Sequence, residues 1–294
     1  MSQPETQIPQ YHQDPEYFRE AVRYTAAETG FVDRLIEKDY FATLVLAFLA
    51  GGDDKVLVFK GGTCLSKIHA SFFRLSEDLD FMISVEQPGS RKERRGLIAS
   101  VRELLGGLPS HVPVFRIVNP FHGANLSRQY LGDIGYQSLL TKQEQRIKIE
   151  VSLREPLLAP SEIAPAKTIL LDPVTERQLL APVEMRAMSL AEAMSEKFRA
   201  ALSRREAAIR DFFDIDHAVR KLDFALNDST FETMVSRKLS VAGNEPVKIG
   251  PDRLQELRVQ LNTLLRPVLR HEDFEAFDLE RAYGVVEALA GRLK

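Results

Sequence analysis

The sequence holds one cysteine, Cys64, so no internal disulfide can form, and no Cys/His cluster marks a zinc site. That scarcity fits a reducing compartment, and the expectation is a cytoplasmic protein. An excess of positive charge is also lacking, because 39 basic and 42 acidic side chains leave a formal net charge of -3. A strongly basic chain would advertise a nucleic-acid partner; here any such contact needs a local basic patch. The most apolar stretch, residues 40–51, falls short of the roughly 20 residues that a membrane-spanning helix takes. The N-terminus, with Gln, Pro, Asp and Glu, carries neither the basic nor the apolar block of a secretory signal. No repeat or low-complexity tract is present, and no membrane association is expected.

What is present is enough for two domains: 294 residues, 44% hydrophobic and 28% charged. The first dozen residues read as a flexible arm. Residues 14–50 carry two helical patterns, the second with Leu35, Ile36, Tyr40, Leu44, Val45 and Phe48 at helix spacing. Gly51, Gly52, Asp53 and Asp54 end it. A buried strand follows at 55–59, then Gly61-Gly62 as a tight turn into a short helix over 63–72, and a second strand at 78–84. A charged helix is expected at 91–105, with strands at 112–118, 128–136 and 146–153. Residues 156–165, rich in Pro and Ala, read as a surface excursion. Beyond about 182 only helices are expected, near 189–203, 206–222, 228–239, 251–265 and 273–293. Strands first and helices afterwards predict an α+β fold, a catalytic half followed by a helical half. The domains are expected at 1–185 and 186–294.

The most informative stretch runs from Gly61-Gly62-Thr63 to Arg74-Leu75-Ser76-Glu77-Asp78-Leu79-Asp80-Phe81. Side chains alternate along a strand, so Asp78 and Asp80 share one face. Two adjacent carboxylates repel unless a cation joins them, and magnesium takes one or two carboxylates together with substrate phosphates. An isolated Asp-x-Asp is more often the wet face of an edge strand. The glycines alter the weighing, because they let backbone N–H groups approach a phosphate at a helix start. Thr63 is suited to cap that helix and to bond a phosphate oxygen. Lys67, one turn on, faces either a phosphate or solvent. This is not the phosphate loop of the NTPases, since no Gly-Lys-Ser/Thr follows.

Residues 146–151, Arg-Ile-Lys-Ile-Glu-Val, alternate polar and apolar. If that strand lies beside 78–84, Glu150 becomes a third carboxylate, completing a metal site and serving as base toward an attacking hydroxyl. Taken alone it is better explained by charge pairing across a sheet than by catalysis. In the helical half, Leu190, Met194, Phe198 and Leu202 form an apolar stripe with Lys197 at its edge. Such a lysine can extend its ammonium into a cleft and neutralise charge on a triphosphate. Asp211 borders the apolar face of the next helix, where Arg210 and Asp214 are spaced to pair. Cys64 has no partner suited to a nucleophile, and the six histidines lack ligand spacing.

Together these blocks resemble the AbiEii/AbiGii toxin family of nucleotidyltransferases. Gly-Gly-Thr, a helix and Arg-x-Ser-Glu-Asp-Leu-Asp-Phe carry the resemblance. Ile36-Glu37-Lys38-Asp39-Tyr40-Phe41 upstream supports it, as do Glu196-Lys197-Phe198-Arg199-Ala200 and Arg210-Asp211-Phe212-Phe213-Asp214 downstream. It runs from about residue 30 to 220 and leaves the last 70 or so residues without a matching motif. The resemblance implies a DNA-polymerase-β-like nucleotidyltransferase domain with a mixed sheet, a helical C-terminal domain, Mg2+ with a nucleoside triphosphate as substrate, and an antitoxin protein as partner. It implies Asp78, Asp80 and Glu150 as metal ligands and catalytic residues, with Lys197 and Asp211 as further catalytic residues. Gly61, Gly62, Thr63, Lys67, Ser76 and, as second choice, Asp214 are expected to bind the nucleotide. The implied acceptor is the end of tRNA or another RNA, held by a basic surface drawn from Lys92, Arg94, Arg95, Arg199, Arg204 and Arg205. Transfer to a protein or small molecule, or a binding module without chemistry, are the alternatives. The interval of fifteen residues between Gly62 and Asp78 is long for the wider superfamily and familiar in this one.

Overall fold

The structure, a computed structural model, describes residues 8–52, 56–86, 89–226 and 228–293. Most of the expected N-terminal arm, and Asp53, Asp54 and Lys55 of the expected helix stop and strand start, lie outside the described residues. Two compact units are present: Met1–Leu157 with Ser161–Met188, and Leu158–Pro160 with Ser189–Lys294.

The first unit begins with α1 (Pro15–Thr29), started by Asp14, whose carboxylate accepts from the N–H groups of Glu16 and Tyr17, and by proline at its first position. Gly30 ends it at φ 75°, the left-handed conformation that glycine adopts without strain. Helix α2 (Asp33–Gly51) is buried on more than the expected single face: from Leu35 to Leu49 only Lys38 and Ala47 retain appreciable exposure. Strand β1 (Leu57–Lys60) leads directly into α3 (Gly61–Cys64), which continues as a π-helical turn over Leu65–His69. Strand β2 (Leu79–Ile83) follows. The expected charged helix divides into α4 (Arg91–Leu97), opened by a Ser90/Glu93 capping box, and α5 (Ala99–His111). Strands β3 (Arg116–Ala124), β4 (Gln129–Gln137) and β5 (Glu144–Ser152) come next, then β6 (Glu162–Ala166) and β7 (Val183–Ala187).

Strands β6 and β7 correct the expectation of a surface excursion at 156–165 and of helices alone after 182. Their sequences, Glu-Ile-Ala-Pro-Ala and Val-Glu-Met-Arg-Ala, carry too little β-branched or aromatic character to announce strands. Pairing holds them in place, antiparallel to each other, with β7 running parallel to β1.

The seven strands form one mixed sheet in the order β3-β4-β5-β2-β1-β7-β6. The parallel pairs are β2 with β5 and β1 with β7; the others are antiparallel. On one face Phe59, Leu79, Phe81, Ile147, Ile149 and Val151 are buried. Phe41 of α2 stacks on Tyr136 of β4 at 4.0 Å between ring centroids. Burial of this face drives the layer together, at about 25 cal/mol per Å² of apolar area.

The second unit is helical: α6 (Leu190–Ser203), α7 (Ile209–Lys221), α8 (Ser229–Leu239), α9 (Pro251–Arg258), α10 (His271–Ala276) and α11 (Leu279–Arg292). The helix expected at 251–265 changes to a π-helical turn at Leu261–Leu265, and that expected at 273–293 breaks where Asp278 caps α11. The fold is α+β with a helical C-terminal region. No helix among the described residues is long and apolar enough to cross a membrane.

Candidate active site

The glycine turn and the Asp-x-Asp strand are built against each other. Gly61 has φ 77°, and a Cβ there would overlap the carboxylate of Asp80. Both facts demand glycine. A Cβ on Gly62 would stand 2.6 Å from Nη2 of Arg74 and 3.1 Å from Oγ of Ser76. Thr63 corrects the sequence reading, because the cap position falls on Lys60 and not on Thr63. The Thr63 hydroxyl is buried and donates to the Asp78 carbonyl, so it fixes the helix start to the strand.

Strand pairing brings the carboxylates together. In the β2–β5 register Asp80 lies opposite Glu150, and in the β1–β2 register Lys60 lies opposite Asp80. Leu131, Glu150, Asp80 and Lys60 thus form one row across β4, β5, β2 and β1, on the face away from the aromatic core. Like charges directly opposite destabilise a sheet. This row keeps two of them side by side, flanked by Lys60 and by Lys148, whose Nζ is 3.5 Å from Oε2 of Glu150. Asp78 sits just ahead of β2 and is exposed.

No three His, Cys, Asp or Glu side chains converge tightly enough to hold a metal among the described residues. The three-carboxylate cluster expected from sequence is therefore not assembled; the adjacent pair is Asp80 and Glu150. All donors in the row are hard oxygens, and magnesium takes one or two carboxylates and completes its shell with water and substrate phosphates. The residues present fit that ion. A cavity of about 480 Å³ opens on the other, apolar side of the sheet, lined by Arg102, Leu105, Phe121, Ile134 and Ile149. It contains none of these carboxylates, and the chemistry assigns the site to their face.

Lys67 is a second correction. It is 1% exposed and faces neither phosphate nor solvent. Its ammonium pairs with Oδ1 of Asp39 at 2.6 Å and donates to Oγ1 of Thr43 at 2.8 Å and the Lys167 carbonyl at 3.2 Å. Burial pushes its pKa down and Asp39 opposes that shift. The residue locks the helix after the glycine turn to α2. Glu77 does the same for the segment before Asp78, accepting from Lys38 at 2.8 Å and Arg34 at 3.0 Å. Burial raises its carboxyl, and Lys38 with Arg34 overcome this, holding it below the usual carboxylate range. The buried Cys64 lies inside the helix.

In the helical unit Lys197 sits between two buried carboxylates, Asp211 at 3.0 Å and Asp214 at 2.8 Å. Asp211 also binds Arg204 at 2.9 Å. Burial raises the Asp211 carboxyl and Lys197 with Arg204 outweigh it, so it lies below the usual range. Asp214 pairs with Lys197, whereas the sequence offered Arg210, which is exposed. Ser76 is half-buried beside the glycine turn. Of the basic surface residues, Arg94 is buried and donates to the carbonyls of Ser127 and Leu126, which removes it from any RNA surface.

Two contacts of the site escaped the sequence reading. Gln129 at the start of β4 donates through Nε2 to Oε1 of Glu150, and Glu77 clamps the Asp-bearing strand. Glu77 stood inside the quoted motif, but its partners lie 39 and 43 residues upstream. For Gln129 no sequence signal exists beyond its position opposite residue 152 of the paired strand.

A search of curated proteins gives no match. Among solved structures, an H. pylori protein described as a nucleotidyltransferase superposes with a TM-score of 0.52 at 18% identity, over 90% of this chain and 96% of that one. JHP933 from Helicobacter pylori gives a TM-score of 0.51 at 18% identity, over 90% and 93%. At that identity they speak for the fold alone. The family described as "Nucleotidyl transferase AbiEii toxin, Type IV TA system" matches residues 44–282, and the chain belongs to this family of nucleotidyltransferase toxins.

Proposed function

We propose that the protein is a magnesium-dependent enzyme that transfers a nucleoside monophosphate from a nucleoside triphosphate to the 3' acceptor end of tRNA, in the cytoplasm, and that its antitoxin restrains this activity. The observation that carries the catalytic part is the Asp80–Glu150 pair, side by side in register, with Asp80 against the glycine turn. An acceptor hydroxyl attacks the α-phosphorus, its new P–O bond replaces the bond to the β-phosphate oxygen, and pyrophosphate leaves. Asp80 and Glu150 are the proposed metal ligands, exposed Asp78 just ahead of β2 is proposed to turn in to join them when the ion binds, and Glu150 accepts the proton of the attacking hydroxyl. Magnesium, when bound, supplies charge neutralisation on the phosphates. Backbone N–H groups at Gly61 and Gly62, with Ser76 near them, are proposed to bind the triphosphate. Lys197 and Asp211 are proposed as further catalytic residues on the strength of the family motifs, with Asp214 supporting Lys197.

The test incubates purified protein and magnesium with each α-labelled nucleoside triphosphate, total RNA and a protein extract. Label in RNA of tRNA size, lost on removing magnesium, is the expected result. Label confined to protein would overturn the tRNA assignment, and no label in any pool would overturn the catalytic one.

A further inference from the structure

Glu150 does not stand alone on its strand face. Its Oε1 accepts from Nε2 of Gln129, and the other end of that amide, Oε1 of Gln129, accepts from Nδ2 of Asn125 at 2.6 Å. An amide has one donor end and one acceptor end. With Asn125 donating to the acceptor end, the donor end is turned to Glu150; the opposite orientation would set a carbonyl against a carboxylate.

Asn125 holds this place through an unusual backbone. Asn125, Leu126 and Ser127 adopt φ of 48°, 59° and 60°, three successive non-glycine residues in the left-handed region. Such conformations persist only where the surroundings over-determine them. Here Arg94 of α4, itself buried, donates to the Ser127 carbonyl at 3.0 Å and the Leu126 carbonyl at 2.7 Å. Behind the turn, the Leu153 N–H donates to the Arg128 carbonyl at 2.8 Å, tying β5 just past Glu150 to the start of β4. The strained turn is thus fastened on both sides, and the side chains it presents lead to one catalytic carboxylate.

We propose that Gln129 is a positioning residue for nucleotidyl transfer, its amide oriented by Asn125 on the left-handed turn so that it fixes the rotamer of Glu150. The inference rests on the reading of Glu150 given above. Gln129 carries no charge and exchanges no proton, and the proposed role is to orient Glu150. Groups that orient a reacting or ligating side chain account for about 10- to 100-fold in activity.

The decisive set is Gln129→Leu, Asn125→Gly, Glu150→Gln and the double variant Gln129→Leu/Glu150→Gln, measured for melting temperature, kcat and KM. Gln129→Leu is expected to lower kcat about tenfold or more while KM for the triphosphate and the melting temperature hold. Asn125→Gly separates shape from chemistry, since glycine tolerates the left-handed backbone but removes the amide. It is expected to fold as stably as the wild type and to lower kcat. The double variant should be no slower than Glu150→Gln alone. In 15N-labelled protein the Gln129 side-chain amide signal, assigned by its loss in Gln129→Leu, should shift in both Asn125→Gly and Glu150→Gln. Wild-type kcat in Gln129→Leu and Asn125→Gly, or additive losses in the double variant, would overturn the proposal. Asp80→Asn run alongside tests the underlying reading separately: its inactivity keeps that reading even if Gln129 proves dispensable.

Discussion

The helical interior and the strand row around Asp80 treat charge differently. In the helical unit buried carboxylates are met by cations at short range. Lys238, 0% exposed, lies 2.7 Å from Glu192 and 3.5 Å from Glu196; Asp216 is held by Arg281 at 2.7 Å and Arg220 at 2.8 Å; Lys197 lies between Asp211 and Asp214. In the sheet unit Asp80 and Glu150 lie opposite each other in register on neighbouring strands, with Lys60 opposite Asp80 and Lys148 3.5 Å from Glu150. The first pattern is what a stable interior requires, since a buried charge without a partner is costly. The second sets two like charges opposite each other on a sheet, which costs stability, and it suits a site that a cation and a polyanion enter together. The buried pairs at Lys238 and Asp216 therefore report on folding, and the row on the sheet is the proposed seat of the chemistry.

That contrast fixes the order of the expected effects. Asp80→Asn should reduce transfer by roughly 100- to 1,000-fold, the scale of losing one electrostatic contact to a transition state, with the melting temperature unchanged or raised because like-charge repulsion is relieved. Turnover of labelled triphosphate and a thermal melt on the same sample check both halves. Lys238→Ala should do the reverse: it removes the cation between the buried Glu192 and Glu196 and costs about 3–5 kcal/mol of stability. Chemical denaturation measures it, and a loss below about 1 kcal/mol would erase the distinction between the units.

Gly61→Ala is expected to show both signatures at reduced size. Alanine at φ 77° costs about 1–3 kcal/mol, and its Cβ pushes against Asp80, so nucleotide transfer falls more than stability. Equal proportional losses would show the turn to be structural only. The smallest effect concerns acid. Burial holds His217 down to about 4 from its ordinary 6.5. The unfolded chain then binds a proton that the folded chain refuses, so this contribution is intact above pH 6.5 and is lost as pH falls from 6.5 toward 4. The negative charges of Asp273, Asp214 and Asp216 partly oppose that shift, and Arg220 adds to it. His217→Gln should flatten the fall in melting temperature across that window; an unchanged slope would place the acid sensitivity elsewhere.

How much of this was legible in the sequence depends on the range of the interaction. Local signals read well. The apolar run before Gly61, the glycines, the alternation through Asp80 and that through Glu150 gave β1, α3, β2 and β5 with small shifts of boundary. The pairing of β2 with β5 was a conditional statement until the sheet order was known, because nothing local specifies which strands become neighbours. Lys67 misled for the same reason: a lysine one turn into a phosphate-facing helix reads as a ligand until Asp39, 28 residues earlier, claims it. Thr63 looked like a cap, yet its hydroxyl goes to a carbonyl fifteen residues on. Strands β6 and β7 are held by their neighbours and not by their own composition. Gln129 was invisible because a single amide acquires meaning only from what it touches.

The central claim is that the Asp80–Glu150 row is a platform for a divalent cation and a triphosphate. Its most direct test is a crystal of the wild-type protein grown with Mn2+ and a non-hydrolysable nucleoside triphosphate, with the anomalous signal of manganese located. The account predicts a manganese peak contacting the carboxylates of Asp80 and Glu150, with the phosphates reaching the Gly61–Gly62 turn. A triphosphate and manganese bound together away from both carboxylates would contradict it.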